Sequence, residues 1–169
     1  SAMSPSPVPA AFLDEAARLL GPEHVIAGDG LDDYTDPFPL GDPAEFAPGL
    51  AVRPADVAQV QAIVRLAAEH GVELWPVSQG RNNGYGGRAA RTPGAVVVDL
   101  SRMNRVLEID AVSGTVLVEP GVRFSDLYEA VRASGAPFWT SAPDLSWGSV
   151  VGNALERGLG YTEYGEHAA

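Results

Sequence analysis

The chain contains no cysteine, which excludes disulfides, thiolate metal sites and a cysteine nucleophile. It contains no lysine either: all 11 basic residues are arginine, a bias in keeping with a GC-rich genome. A P-loop is excluded with it, because G-x-x-x-x-G-K-[S/T] requires that side chain. Basic charge as a whole is scarce, with 11 arginines against 22 acids and a net charge of −11. A general nucleic-acid or anionic-membrane surface needs a basic face, so neither partner is expected and any polyanion site must be local. Long apolar runs are also missing. Nothing approaches the roughly 18–20 residues of a membrane span, and no charged-then-apolar signal opens the chain, so a cytoplasmic location is expected. His24, His70 and His167 are scattered without ligand spacing, and no metal is expected.

What is present describes a globular protein. The 169 residues suffice for one domain with its own core, and 46% apolar with 20% charged residues argue against disorder. Ser1-Ala2-Met3 reads as a cloning remnant before the native start, and 1–10 as a disordered leader that includes S-P-S-P-V-P-A. Residues 11–169 then read as one folded region without internal repeat or linker. Ala11–Leu20 has a helical period, with Phe12, Ala16, Leu19 and Leu20 on one face and Gly21 closing it. The acid- and proline-rich segment 28–50 keeps no period and is expected to lie irregularly over the core. Pro54-Ala55-Asp56 signals a helix start, and Val57, Val60, Ile63, Val64 and Ala67 recur up to Gly71. Val72–Val77 and Ala95–Leu100 read as strands, the second apolar enough for burial on both faces. Arg105–Asp110 and Thr115–Glu119 form a hairpin pattern around A-V-S-G. Phe124–Ser134 is a helix starting near Ser125 or Asp126, with Phe124, Leu127, Tyr128 and Val131 inward. A loop over 135–147 leads to a short helix over 148–157 and a glycine- and tyrosine-rich end.

Between the two apolar strands lies Pro76–Gly87, P-V-S-Q-G-R-N-N-G-Y-G-G. Glycines this dense serve turns with positive φ or the close approach of bare backbone to another group. Arg81, Arg88 and Arg91 fall here with no acid among 81–91, and bare N–H groups beside guanidinium groups suit an anion such as a phosphate. A solvated face is the alternative use of those arginines. A dinucleotide fingerprint would open a helix directly after a strand, whereas this G-x-x-x-G-x-G-G spacing leads into loop and strand. A strand–loop–strand that wraps a pyrophosphate with an extended run of N–H groups fits better.

Several motifs in order carry a resemblance. S-Q-G-R-N-N-G-Y-G-G, V-V-V-D-L-S-R-M-N-R-V-L-E-I-D, V-E-P-G-V and P-D-L-S-W-G-S-V-V-G-N-A-L-E-R-G-L-G-Y-T-E-Y-G-E-H together resemble the FAD-binding domain of the vanillyl-alcohol oxidase / 4-cresol dehydrogenase (PCMH-type) flavoprotein family. Within it they are most similar to the para-alkylphenol oxidases, over roughly 50–167. The resemblance implies FAD as cofactor and a pyrophosphate loop formed by Gln79, Gly80, Arg81, Asn82, Asn83, Gly84 and Gly86. It implies that Pro143, Gly148, Ser149, Gly152, Asn153, Glu156, Gly160 and Tyr161 line the flavin. It gives Tyr85 a hydrogen bond to the phenolate of a small aromatic substrate, and Asp144 a place near flavin N5 in hydride transfer. Apart from the resemblance, Tyr85 reads as a loop aromatic, and Asp144 as a turn former or helix cap.

Ser146-Trp147 departs from the small residues expected in the oxidases, which reshapes the flavin or substrate pocket. Family members also continue for several hundred residues beyond the counterpart of His167. The expectation is therefore the N-terminal part of an α+β, PCMH-type FAD-binding fold: a small mixed sheet with flanking helices and part of a second sheet subdomain, truncated. Its full enzyme would abstract hydride from the benzylic carbon of para-substituted phenols. A short chain of this kind could instead be a non-catalytic scaffold or interaction module, and unpaired strand edges would favour a homo-oligomer. A sugar- or lactone-oxidising branch of the same superfamily is the third reading.

Overall fold

Helix ends follow local chemistry closely. The computed structural model describes residues 7–81, 87–143, 146–156, 158 and 160. They divide into two units, Ser1–Val77 with Asn82–Arg102, and Ser78–Arg81 with Met103–Ala169.

In the first unit, Ala10–Leu20 forms α1 and Val57–His70 forms α2. Asp56 caps α2, its carboxylate accepting the Gln59 N–H at 2.8 Å while Gln59 Oε1 accepts the Ala55 N–H at 2.7 Å. Gly71 ends the helix at φ 63°, a left-handed conformation that costs glycine little. The inward stripes are narrower than apolar identity implies. On α1 the stripe is Phe12, Ala16 and Leu20, and Leu19 lies at its margin, 43% exposed. On α2 it is Ile63, Leu66 and Ala67. Val57 and Val64, which share the helical recurrence, are exposed.

Both helices cover one face of a four-stranded mixed sheet, ordered β1-β2-β4-β3. Its strands are β1 (Val25–Ile26), β2 (Leu50–Val52), β3 (Leu74–Val77) and β4 (Val96–Asp99). β1 runs antiparallel to β2, while β2 and β3 each run parallel to β4. Strand alternation sends Leu50, Val52, Val96 and Val98 toward α1 and α2. Ala51 and Val97 face the other way, against Tyr34, Ala90 and Ala95. The run V-V-V is therefore buried on both faces, as its composition predicts. Segment 28–50 is irregular as expected, with 3-10 turns at Gly28–Tyr34 and Pro43–Phe46. It also contributes a buried Tyr34 and leads directly into β2, and neither β1 nor β2 is anticipated by periodicity.

The second unit holds an antiparallel hairpin, β5 (Val106–Asp110) and β6 (Thr115–Val118), with a bulge between Val106 and Glu108. Asp110 shapes its turn by accepting the Val112 and Ser113 N–H groups. Helix α3 (Phe124–Ser134) packs Leu127 and Val131 with Val122 against Val106, Ile109, Val116 and Val118. Its N-cap is Arg123, with Asp126 at the third helical position accepting the Arg123 N–H. Tyr128 is exposed, contrary to expectation, because the stripe 124–127–131 leaves it on the margin. A short α4 (Val150–Leu155) follows within the segment read as 148–157.

Candidate functional site

The incoming stem of the glycine stretch, Ser78–Arg81, belongs to the second unit. Gly80 has φ 61°, a conformation strained for any residue with a Cβ. Gln79 and Gly80 are half-buried and Arg81 is exposed. The Gln79 side chain donates from Nε2 to the Gly121 carbonyl at 2.6 Å.

That carbonyl lies in the turn Glu119-Pro120-Gly121-Val122, which follows β6. The turn is fixed by backbone bonds, Glu119 N–H to Arg105 O at 3.0 Å and Gly121 N–H to Met103 O at 2.7 Å. Glu119 is buried and paired with Arg105, accepting its N–H at 2.8 Å and its guanidinium at 2.6 Å. The guanidinium hydrogen bond holds the Glu119 carboxyl below its ordinary value, against the opposing effect of burial.

The flavin-lining candidates rest on the same turn. Ser149 donates from Oγ to Pro120 O at 2.8 Å and accepts the Gly152 N–H at 2.9 Å, so one hydroxyl caps α4 and tethers it. Val150 N–H reaches Val122 O at 3.1 Å, and Phe124 N–H reaches Gly148 O at 3.0 Å. A Cβ on Gly152 would stand 2.8 Å from Ser78 Oγ, so α4 lies directly against the incoming stem. Asn153 sits in the same helix, its carboxamide filling the space beside Gly158. Glu156 is exposed, Gly160 is buried and Pro143 is half-buried. The structure thus brings Gln79, Gly80, Gly148, Ser149 and Gly152 together around one turn.

The outgoing stem belongs to the first unit. Arg88 lies over the Tyr34 ring, 5.2 Å from its centroid, with Nη1 3.8 Å from Asp99 Oδ2. Asp99, 1% exposed at the end of β4, accepts the Tyr34 hydroxyl at 2.7 Å and the Ser101 N–H at 2.9 Å. Arg53 Nε stands 3.7 Å from the same carboxylate. Burial, then the bond to Asp99, pushes the Tyr34 hydroxyl well above its ordinary pKa. Arg91 lies over the Phe46 ring at 5.9 Å. Two of the three arginines expected beside an anion are therefore engaged with the protein's own groups.

Tyr85, Asn82, Asn83, Gly84, Gly86, Asp144 and Tyr161 lie outside the described residues. Sequence reasoning missed the Tyr34–Asp99–Arg53–Arg88 cluster. Its one signal was a carboxylate closing an otherwise apolar buried run, V-V-V-D. Among the described residues there is no group of three or more His, Cys, Asp or Glu able to hold a metal. No helix among them is long and apolar enough to cross a membrane.

The parallel strands β3 and β4 are joined through the glycine-rich stretch. The family model described as FAD binding domain matches residues 48–168, and the chain belongs to that family. More narrowly, it has the PCMH-type FAD-binding fold, with FAD as cofactor, and is related to p-cresol methylhydroxylase. The 4-cresol dehydrogenase [hydroxylating] flavoprotein subunit of Pseudomonas putida is 40% identical over 152 residues, 88% of this chain and 29% of that protein. A 4-ethylphenol oxidase structure from Gulosibacter chungangensis superposes with TM-score 0.90 at 40% identity, covering 97% of this chain and 32% of that one. A p-cresol methylhydroxylase structure with substrate bound gives TM-score 0.88 at 37% identity, covering 98% and 33%. The chain thus spans about a third or less of these relatives' length.

The residues present fit the cofactor. Gly80 presents bare backbone in a left-handed conformation, and Gly152 lets α4 approach the same stem without an intervening side chain. Neutral N–H donors of this kind suit a pyrophosphate in a chain that is otherwise strongly acidic.

Proposed function

We propose that residues 11–169 serve as the N-terminal part of the FAD-binding domain of a phenol-oxidising flavoenzyme. In this reading the enzyme removes a hydride from the benzylic carbon of para-substituted phenols. The observation that carries it is the similarity, at 40% identity over about nine-tenths of the chain, to proteins named for 4-cresol and 4-ethylphenol. Bound FAD supplies the two-electron acceptor for that hydride. The backbone from Gly80 to Gly86 holds the pyrophosphate. Pro143, Gly148, Ser149, Gly152, Asn153, Glu156, Gly160 and Tyr161 line the flavin. Tyr85 donates its hydroxyl to the phenolate oxygen and orients the ring. Loss of the hydride turns the phenolate into a quinone methide, whose electrophilic carbon then takes up water or whose side chain loses a proton. Asp144 is the carboxylate placed to manage that proton.

The test uses the full polypeptide that carries this chain, loaded with FAD and mixed with 4-ethylphenol while flavin bleaching is followed. Tyr85→Phe removes one hydrogen bond to a charged oxygen and should lower kcat/KM about 10- to 100-fold with the flavin spectrum retained. Asp144→Asn should slow bleaching further. Tyr85→Phe with unchanged phenol oxidation would sink the substrate assignment, and would favour the sugar- or lactone-oxidising reading. A colourless protein that cannot be reconstituted with FAD would leave only a scaffold.

A further inference from the structure

Two segments assigned to FAD, Ser78–Arg81 and Gly148–Leu155, are far apart in sequence yet bonded to the same four residues. Gln79 reaches the Gly121 carbonyl, Ser149 reaches the Pro120 carbonyl, and Val150 reaches the Val122 carbonyl. None of these bonds is needed to make the turn, which the backbone bonds to Arg105 and Met103 already close. They hold other segments to it. Both side-chain donors meet neutral backbone carbonyls, so the attachment depends on distance and direction and little on salt.

We infer that the Glu119–Val122 turn is a positioning element that couples the two flavin-facing segments, and that Gln79 acts through its side chain on Gly121 while its backbone faces the cofactor. Gln79 and Ser149 are positioning residues in this scheme. Glu119 supports them, its pairing with Arg105 holding the start of the turn at the hairpin end. Gly152 completes the coupling, since α4 and Ser78 touch only because no Cβ intervenes. The inference rests on the FAD assignment of these segments, and its test separates the two.

Gln79→Met keeps length and bulk but removes the donor. Ser149→Ala removes both cap and tether, and Ser149→Thr restores both. Hydrogen–deuterium exchange is measured in the full polypeptide that carries this chain, on peptides covering 78–81 and 148–155, and FAD is titrated by quenching of its fluorescence. Gln79→Met should speed exchange several-fold in 148–155 as well as in 78–81, and Ser149→Ala should do the converse, with Ser149→Thr matching the unmodified chain. FAD affinity should fall up to about tenfold in Gln79→Met and in Ser149→Ala, and by less than the product of the two in the double variant. Exchange effects confined to the segment that carries the substitution would overturn the coupling, whatever happens to FAD. A chain that shows the coupling but binds no FAD would count against the proposed function alone. Variants that bind FAD as tightly as the unmodified chain, without cross-segment exchange, would count against this inference alone.

Discussion

The two stems of the glycine stretch are held by opposite kinds of physics. The incoming stem is fixed by a neutral amide on a backbone carbonyl, Gln79 on Gly121, at a turn beside a two-stranded sheet. The outgoing stem is fixed by charge, with Arg88 near a buried Asp99 that also takes the Tyr34 hydroxyl and faces Arg53. A neutral bond is directional and modest, about 1 kcal/mol, and pH scarcely touches it. A buried carboxylate with several partners tolerates looser distances, but removing it strands every partner. The incoming stem is thus built for placement and the outgoing stem for anchorage.

Asp99→Ala should give the largest effect, a loss of about 3–5 kcal/mol in urea unfolding, because two guanidinium groups and a buried hydroxyl lose their common partner. A loss below about 1 kcal/mol would mean that the arginines simply turn to solvent, and the contrast between stems would fail. Tyr34→Phe should cost about 1–3 kcal/mol by leaving Asp99 one donor short. It also carries a pH signature. The folded-state pKa of Tyr34 is raised above its ordinary 10.0, so its contribution is full below that pH and declines as the pH climbs through the folded value. Unfolding curves at neutral and strongly alkaline pH should show this decline in the native sequence and not in Tyr34→Phe. Gly152→Ala should cost about 1 kcal/mol, since Ser78 must shift to admit the methyl group, and should weaken FAD binding more than it lowers stability. Glu119→Gln should have the smallest effect at neutral pH, under about 1 kcal/mol, because the amide oxygen still accepts the Arg105 N–H. Glu119 titrates below its ordinary 4.5, so its contribution is present above that pH and lost as the pH falls. An acid titration of stability should therefore be flatter in the variant.

What could be read in advance was whatever neighbours in sequence decide. Helix α2 announced itself through Asp56 and Gly71, and the hairpin through its turn, because caps and turns are satisfied within a few residues. β2 was missed because Leu50–Val52 is too short for a period and owes its strand character to pairing with β1 and β4. Tyr128 was assigned inward with Phe124, Leu127 and Val131, whereas burial was decided by which helical stripe the neighbouring elements covered. At the site, glycine density marked the stretch itself. The direction of Gln79 and the partners of Arg88 depended on residues more than ten positions away, Gly121, Asp99 and Tyr34, and no local pattern encodes them.

β4 lies between β2 and β3, although it follows both in the chain. Residues 50–52 and 74–77 bond to each other only through it. A nascent chain that has emerged as far as β3 therefore carries two apolar strands with no mutual partner, and the central strand must thread in last. What it must close is the connection from Ser78 to Ala95, most of which is the glycine stretch, and the entropy of that closure rises slowly with length and steeply with stiffness. The segment that would cradle the cofactor is also the tether whose closing completes the sheet, so stiffening substitutions there should delay maturation of the protein as well as alter its ligand.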